Sequence, residues 1–207
     1  LDYENMAPPR IGIVRNFLPE IVEESMQRAV DDSAHRLEKA GARLTDVMLP
    51  EEFKLAGYAY RIISGAEGAT FNSHRLAEGM SSGGFASNTD RRAGALIPVT
   101  YFLQASRIRS WLYSMLLGSF RGFDALLMPA TPGPAPKGAN SGDTSLQSPW
   151  SLLGYPALAI NGGLSPEGLP LGLQFVAPPK DDFHLLQVGA WCERVLGRLP
   201  VPPLVAN

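Results

Sequence analysis

The chain has 207 residues, 45% of them apolar and 18% charged, enough for one large domain with a real core. Its 18 Lys and Arg against 20 Asp and Glu leave a formal charge of −2, so the global balance gives no reason to expect nucleic acid or an anionic membrane as a partner. Cys192 is alone, which excludes an intrachain disulfide and fits an intracellular, cytoplasmic location. No apolar run approaches the roughly 20 residues of a membrane helix, and no basic stretch followed by an apolar core opens the chain. Residue 1 is Leu rather than Met, so a processed product or a piece of something longer is expected.

Arg10-Ile-Gly-Ile-Val14 reads as a short buried strand. From Pro19 onward Val22, Met26, Ala29, Val30, Ala34, Leu37 and Ala40 recur mostly at three- and four-residue steps, the stripe of an amphipathic helix. Pro19 suits its first turn and Gly41 its stop. Leu44-Thr-Asp-Val-Met-Leu49 is a second strand, ended by Pro50. Strand, long helix and strand within fifty residues form a βαβ-like unit, which calls for a largely parallel or mixed sheet.

Residues 51–79 are helical in tone, with Leu55, Tyr58, Ile62 and Ile63 near one face, although Gly57, Gly65 and Gly68 weaken the pattern. Ser81 to Asn88 is a loop of small residues. A cleaner helix covers Thr100–Phe120, with Tyr101, Ala105, Ile108, Leu112, Met115, Leu116 and Phe120 on one face and Arg107 and Arg109 off its centre. Asp124 to Val176 then reads as three short apolar strands separated by Pro and Gly corners. They are Asp124-Ala-Leu-Leu-Met-Pro-Ala-Thr-Pro132, Ala157-Leu-Ala-Ile-Asn161 followed by a Gly-rich turn, and Gly168-Leu-Pro-Leu-Gly-Leu-Gln-Phe-Val176. Thr131–Gln147 is the longest loop, a length that asks for a function. Asp181 or Asp182 caps a last helix carrying Leu185, Leu186, Val188, Ala190, Trp191, Val195 and Leu196. The reading is one α/β domain or half-domain, a mixed sheet flanked by helices: a strand–helix–strand unit at 1–50, a mainly helical part at 51–122, strands with a pocket loop at 123–178, and a helix at 181–197.

Few residues offer complete chemistry. Gly79-Met-Ser-Ser-Gly-Gly84 could present a hydroxyl beside backbone donors, but short Ser/Gly runs are common in solvent loops. His35, His74 and His184 lack metal-ligand spacing, and no metal or other cofactor is expected. Asp124, at a strand entrance, is either catalytic or a partner for loop amides. Arg91 and Arg92 could grip a substrate carboxylate or remain solvated loop charges. Trp150 and Tyr155 either wall a pocket or pack in the core.

The block Phe123-Asp-Ala-Leu-Leu-Met-Pro-Ala-Thr-Pro132, Ser148-Pro-Trp-Ser-Leu-Leu-Gly-Tyr-Pro156 and Gly168-Leu-Pro-Leu-Gly-Leu-Gln174 resembles the C-terminal region of the amidase signature family. The βαβ unit at 10–50 resembles the family's segment downstream of its signature motif. The resemblance implies the C-terminal half of the amidase signature fold. It also implies chemistry on carboxamides, or ammonia transfer from glutamine, through an acyl-serine. The family acts through two serines and a lysine that precede the βαβ segment. Gly79–Gly84 departs from the family's Gly-Gly-Ser-Ser-Gly-Gly run at Met80 and follows the βαβ unit instead of preceding it. Lys39, Lys54, Lys137 and Lys180 have no matching context. No catalytic residue carries over, and the chain alone is expected to be inactive. Substrate-contact positions that the resemblance implies are Asp143, Gln147, Ser148 and Trp150, with Arg91 or Arg92. The implied partners are a small-molecule amide, the missing N-terminal half and a possible further copy of the chain, since a half-sheet leaves apolar surface uncovered. The alternatives are a noncatalytic α/β domain for ligand binding or assembly, and a self-contained hydrolase using Ser81 or Ser82.

Overall fold

A computed structural model describes residues 6–17, 22–77, 92–138 and 142–199. In chain order the elements are β1 (Arg10–Val14), α1 (Glu24–Lys39), β2 (Arg43–Val47), α2 (Leu55–Phe71), α3 (Ser73–Ala77), α4 (Val99–Leu116), β3 (Ala125–Pro129), α5 (Ser148–Leu153), β4 (Ala157–Leu164), β5 (Pro170–Val176) and α6 (Asp182–Leu196). Single 3-10 turns at Glu51–Lys54 and Leu117–Phe120 lead into α2 and out of α4. The chain divides into two compact units, one made of Leu1–Leu49 and Leu117–Asn207, the other of Pro50–Leu116.

The first unit is built on a five-stranded sheet of order β2-β1-β3-β5-β4. β2, β1 and β3 run parallel, with Ile11 opposite both Leu44 and Ala125; β5 is antiparallel to β3 and to β4. α1 makes the parallel return possible, because only a long crossover can bring a strand back in the same direction. Met26, Ala29, Val30, Ala34 and Leu37 are buried as the apolar stripe requires. The helix stops at Gly41, whose φ of 105° suits a residue without Cβ, and Ala42 N closes the turn by donating to Leu37 O at 3.0 Å. Every residue of β3 is buried, as a central strand demands, whereas β2 lies at the edge and exposes Arg43 and Asp46.

One core joins α1 and α6 to the sheet through residues such as Met26, Leu37, Leu127, Phe175, Val188 and Cys192. At the end of α1, Arg36 Nη2 donates to Val195 O and Leu196 O at 3.0 and 2.9 Å, satisfying carbonyls that α6 leaves open at its C-terminus. Asp181 occupies the position before α6 but makes no side-chain capping bond.

Ser148-Pro-Trp-Ser-Leu-Leu153 is a helix, with Pro149 in its first turn and Gly154 ending it at φ 70°. It was not among the helices expected from the sequence. Trp150 and Tyr155 follow their core reading: they are 1% and 4% exposed, and both rings pack against Phe120. The Gly-rich turn expected after Asn161 is also displaced. β4 continues to Leu164 through a bulge between Asn161 and Gly163, and the chain turns at Ser165–Gly168.

In the second unit α2 forms despite its three glycines. Gly94 lies against it so closely that a Cβ there would overlap the Gly65 carbonyl. α4 buries Ala105, Leu112 and Leu116 but exposes Tyr101, which the periodicity had placed on the same face. Ser106, Ser110 and Ser114 donate to the carbonyls four residues earlier, so their hydroxyls are satisfied within the helix. No helix among the described residues is long and apolar enough to cross a membrane.

Candidate functional site

Because β1 and β3 are parallel, their carboxyl ends open on the same side of the sheet, the position where α/β proteins place their ligand loops. The chain leaves β3 there and enters the long loop. Ala130 N still pairs with Gly172 O at 2.9 Å, and Thr131 Oγ1 donates to Gly133 O at 2.8 Å. Glu23, just before α1, fastens the loop from the side. Its N–H donates to Pro132 O at 2.7 Å, and its carboxylate lies over Gly133, where a Cβ would be 3.0 Å from Oε2 and closer still to Oε1. A Cβ at this position would make the Glu23 carboxylate swing aside.

The returning end of the loop is a tight polar turn. Asp143 Oδ1 accepts Ser145 N at 2.7 Å. Thr144 O collects Gln147 N at 3.0 Å, Ser148 N at 2.8 Å and the Ser148 hydroxyl at 2.8 Å. Gln147 then reaches across seventeen residues, its Nε2 donating to Ala130 O at 3.0 Å. Gln174 Nε2 donates from β5 to Leu146 O at 3.1 Å. Both amides thus bind the turn to the carboxyl end of β3 and its neighbour.

Asp143, Gln147 and Ser148 are therefore gathered in one turn, with Trp150 one step into α5. Asp143 is exposed, Gln147 half-buried and Ser148 buried. Trp150 is held behind them, its indole N–H 3.2 Å from Met128 Sδ. Arg92 is exposed in a helical stretch at 92–94 of the other unit. Arg91 lies outside the described residues, as does Gly79–Gly84 with Ser81 and Ser82. Gln174 and Glu23 were missed by the sequence reading. Gln174 carried a signal, a single amide in the otherwise apolar run Leu171–Val176; Glu23 looked like any charge at a helix start.

Asp124 sits at the opposite, amino-terminal edge of β1 and β3. Its Oδ2 accepts Arg10 N at 2.7 Å and its Oδ1 accepts Arg10 Nη2 at 2.8 Å, with His184 Nε2 3.5 Å away. Partial burial pushes this carboxyl up, but the bonds and charge of Arg10, with help from His184, win and hold it below the usual carboxylate range. It is a bracket between strand starts. A groove of about 400 Å³ elsewhere, bordered by Arg15, Asp31, His35, Glu38 and Asp46, is crossed by the ion pairs of Arg15 with Asp31 and Asp46. No group of three or more His, Cys, Asp or Glu that could hold a metal ion is present among the described residues.

Beside the exposed carboxylate of Asp143 the turn offers the neutral hydrogen-bonding groups of Gln147 and Ser148, suited to orienting a polar ligand, but Ser148 Oγ is spent on Thr144 rather than on a base. Residues 2–186 match the model of one protein family, Amidase. A glutamyl-tRNA(Gln) amidotransferase subunit from Granulibacter bethesdensis is 30% identical over 231 residues, covering 96% of this chain and 46% of that protein. The corresponding chloroplastic/mitochondrial protein from Arabidopsis thaliana is 29% identical, with 96% and 43% covered. Among solved structures, a crystal structure of an amidase superposes with a TM-score of 0.85 at 28% identity over 94% of this chain and 47% of its own. The crystal structure of a glutamyl-tRNA(Gln) amidotransferase subunit from Thermotoga maritima gives 0.74 at 21% identity, over 97% and 46%, a likeness of fold. The chain spans less than half the length of these relatives.

Proposed function

The chain belongs to the amidase family, and on that premise we propose that it is the pocket-completing region of an enzyme acting on carboxamides, by hydrolysis or by ammonia transfer from glutamine, through an acyl-serine. One observation supports this above the others. The turn 143–148 is anchored by two glutamine amides at the carboxyl end of β3, which leaves polar side chains at a fixed place on the ligand edge of the sheet. In this reading Gln147, Asp143 and Ser148 contact the amide group or its surroundings. Trp150 backs them from the core. The nucleophile and its base come from polypeptide equivalent to the other half of the relatives. The working enzyme then needs that half, with cytoplasmic location and assembly into larger oligomers as further expectations.

Two measurements test the proposal. Benzamide, titrated into nitrogen-15-labelled chain, is expected to perturb Gln147 and Ser148 saturably; perturbation confined to other surfaces would refute the site. The isolated chain is expected to turn over no amide. Labelling of Ser81 or Ser82 by a fluorophosphonate, with amide turnover lost on Ser→Ala, would refute the assignment of the nucleophile to other polypeptide.

A further inference from the structure

Gln174 is the one polar side chain in the second half of β5. It is flanked by Leu173 and Phe175, both fully buried, and is itself only 4% exposed. A primary amide in such a place costs stability unless it is hydrogen-bonded, so a sheet that needed only packing would be served better by Leu or Met. Its bond goes to the carbonyl of Leu146, twenty-eight residues away in sequence. That carbonyl belongs to the peptide group whose nitrogen is Gln147 N. Gln147 in turn holds Ala130 O, so the chain of contacts runs from β5 through Leu146 and Gln147 to the end of β3.

We propose that Gln174 is the positioning residue of the amide site: it does not touch the substrate but fixes the Leu146–Gln147 peptide, and so decides where the Gln147 and Ser148 side chains stand. Its functional meaning rests on the reading of the turn given above; its mechanical part does not. The bond is well suited to this work because donor and acceptor come from different layers. β5 is locked between β3 and β4, whereas the turn is held by the local bonds of Asp143 and Thr144, by the Gln147 amide on Ala130 O and by the buried side chain of Leu146. Removing the donor frees the Leu146 carbonyl and leaves Gln147 with its backbone bond to Thr144 O and its side-chain bond to Ala130 O.

The test uses Gln174→Met and Gln174→Glu in the chain. Methionine keeps the length and loses the donor. Amide exchange at Gln147 and Ser148 is then expected to accelerate about tenfold or more, and their benzamide response to disappear, while exchange within β1 and α1 stays as it was. Glutamate distinguishes a hydrogen-bond role from a packing role. Burial raises its pKa, so at acidic pH the neutral carboxyl can donate to Leu146 O, and wild-type shifts at Gln147 and Ser148 are expected to return. As pH rises through that pKa the carboxylate cannot donate, and the turn is expected to loosen again. Should Gln174→Met fail to fold, the glutamate series alone decides. Wild-type shifts at Gln147 and Ser148 in Gln174→Met, or a Gln174→Glu turn that does not respond to pH, would overturn the proposal. A turn that depends on Gln174 in a wild-type chain that ignores benzamide would instead sink the amide-site reading and leave the positioning role standing.

Discussion

Replacing glycines in the helical unit is expected to change stability in opposite directions according to what each one faces. Gly57 is inside α2, and a Cβ there would meet nothing within 4 Å. Alanine at this position restricts the unfolded chain and adds helix propensity, so Gly57→Ala should stabilise by about 0.5–1 kcal/mol. Gly94 has the reverse surroundings. A Cβ there would overlap the Gly65 carbonyl and lie 3.2 Å from Gly65 Cα, against an ordinary carbon–carbon separation of about 3.5–4.0 Å. The obstacle is helical backbone rather than the tip of a side chain, so α2 or the 92–94 stretch must move. Overpacking of this kind costs about 1–3 kcal/mol, and the rigid obstacle puts Gly94→Ala in the upper part of that range. For a chain of this size each kcal/mol corresponds to a Tm change of roughly 2–4 °C. Thermal unfolding followed by far-ultraviolet circular dichroism should show Gly57→Ala melting higher and Gly94→Ala several degrees lower. Equal shifts of the same sign would refute the close approach of Gly94 to α2.

Asp124 contributes pH-dependent stability of predictable sign. Its folded pKa lies below its unfolded one, so the contribution is present above the unfolded value and is lost as pH falls from about 5 through the folded value, below 3.8. Urea midpoints should therefore decline more steeply in acid for the wild type than for Asp124→Asn; parallel declines would contradict the bracket with Arg10. Cys192 is fully buried, and its thiol is pushed up to about 12 by desolvation. Ellman's reagent at pH 8 should leave it untouched until denaturant is added, and rapid labelling of the native chain would contradict its burial. Trp150→Ala should cost about 3–5 kcal/mol, because it empties the space beside the stacked rings of Phe120 and Tyr155. Trp150→Phe should cost less, losing mainly the N–H···S contact; a denaturation midpoint unmoved by the alanine would contradict the core packing.

Strong periodicity made some of this molecule legible from sequence. The stripe from Met26 to Leu37 could hardly be anything but a helix lying on a sheet, and Arg10–Val14 and Ala125–Pro129 are too apolar for anything but interior strands. α5 escaped because six residues make fewer than two turns and Pro149 read as a corner; burial of Trp150, Leu152 and Leu153 is what makes it a helix. Gly162 and Gly163 suggested a turn, yet glycine serves a bulge equally well, and the hairpin closes only after Leu164. At the candidate site, resemblance gathered Asp143, Gln147 and Ser148, and the residues themselves read only as the end of a long loop, Thr131–Gln147. The bonds of Gln147 to Ala130 O and of Gln174 to Leu146 O could not be read in advance. They depend on which strands become neighbours, and no local pattern encodes that.

The order of the strands also has a consequence for how the chain finds its shape. β4 and β5 meet across residues 165–169, a short closure that costs little entropy and can form on the timescale of a hairpin. β1 and β3 are neighbours in the same sheet, yet Arg10 and Asp124 stand 114 residues apart, with the whole helical unit between them in sequence. Loop-closure entropy grows only with the logarithm of that length, but it must be met before any β1–β3 contact returns energy. The centre of the sheet is thus a late event and its antiparallel margin an early one. A chain in which β3, β5 and β4 have paired while β1 still waits exposes the open edge of β3, and that interval is when aggregation competes with folding.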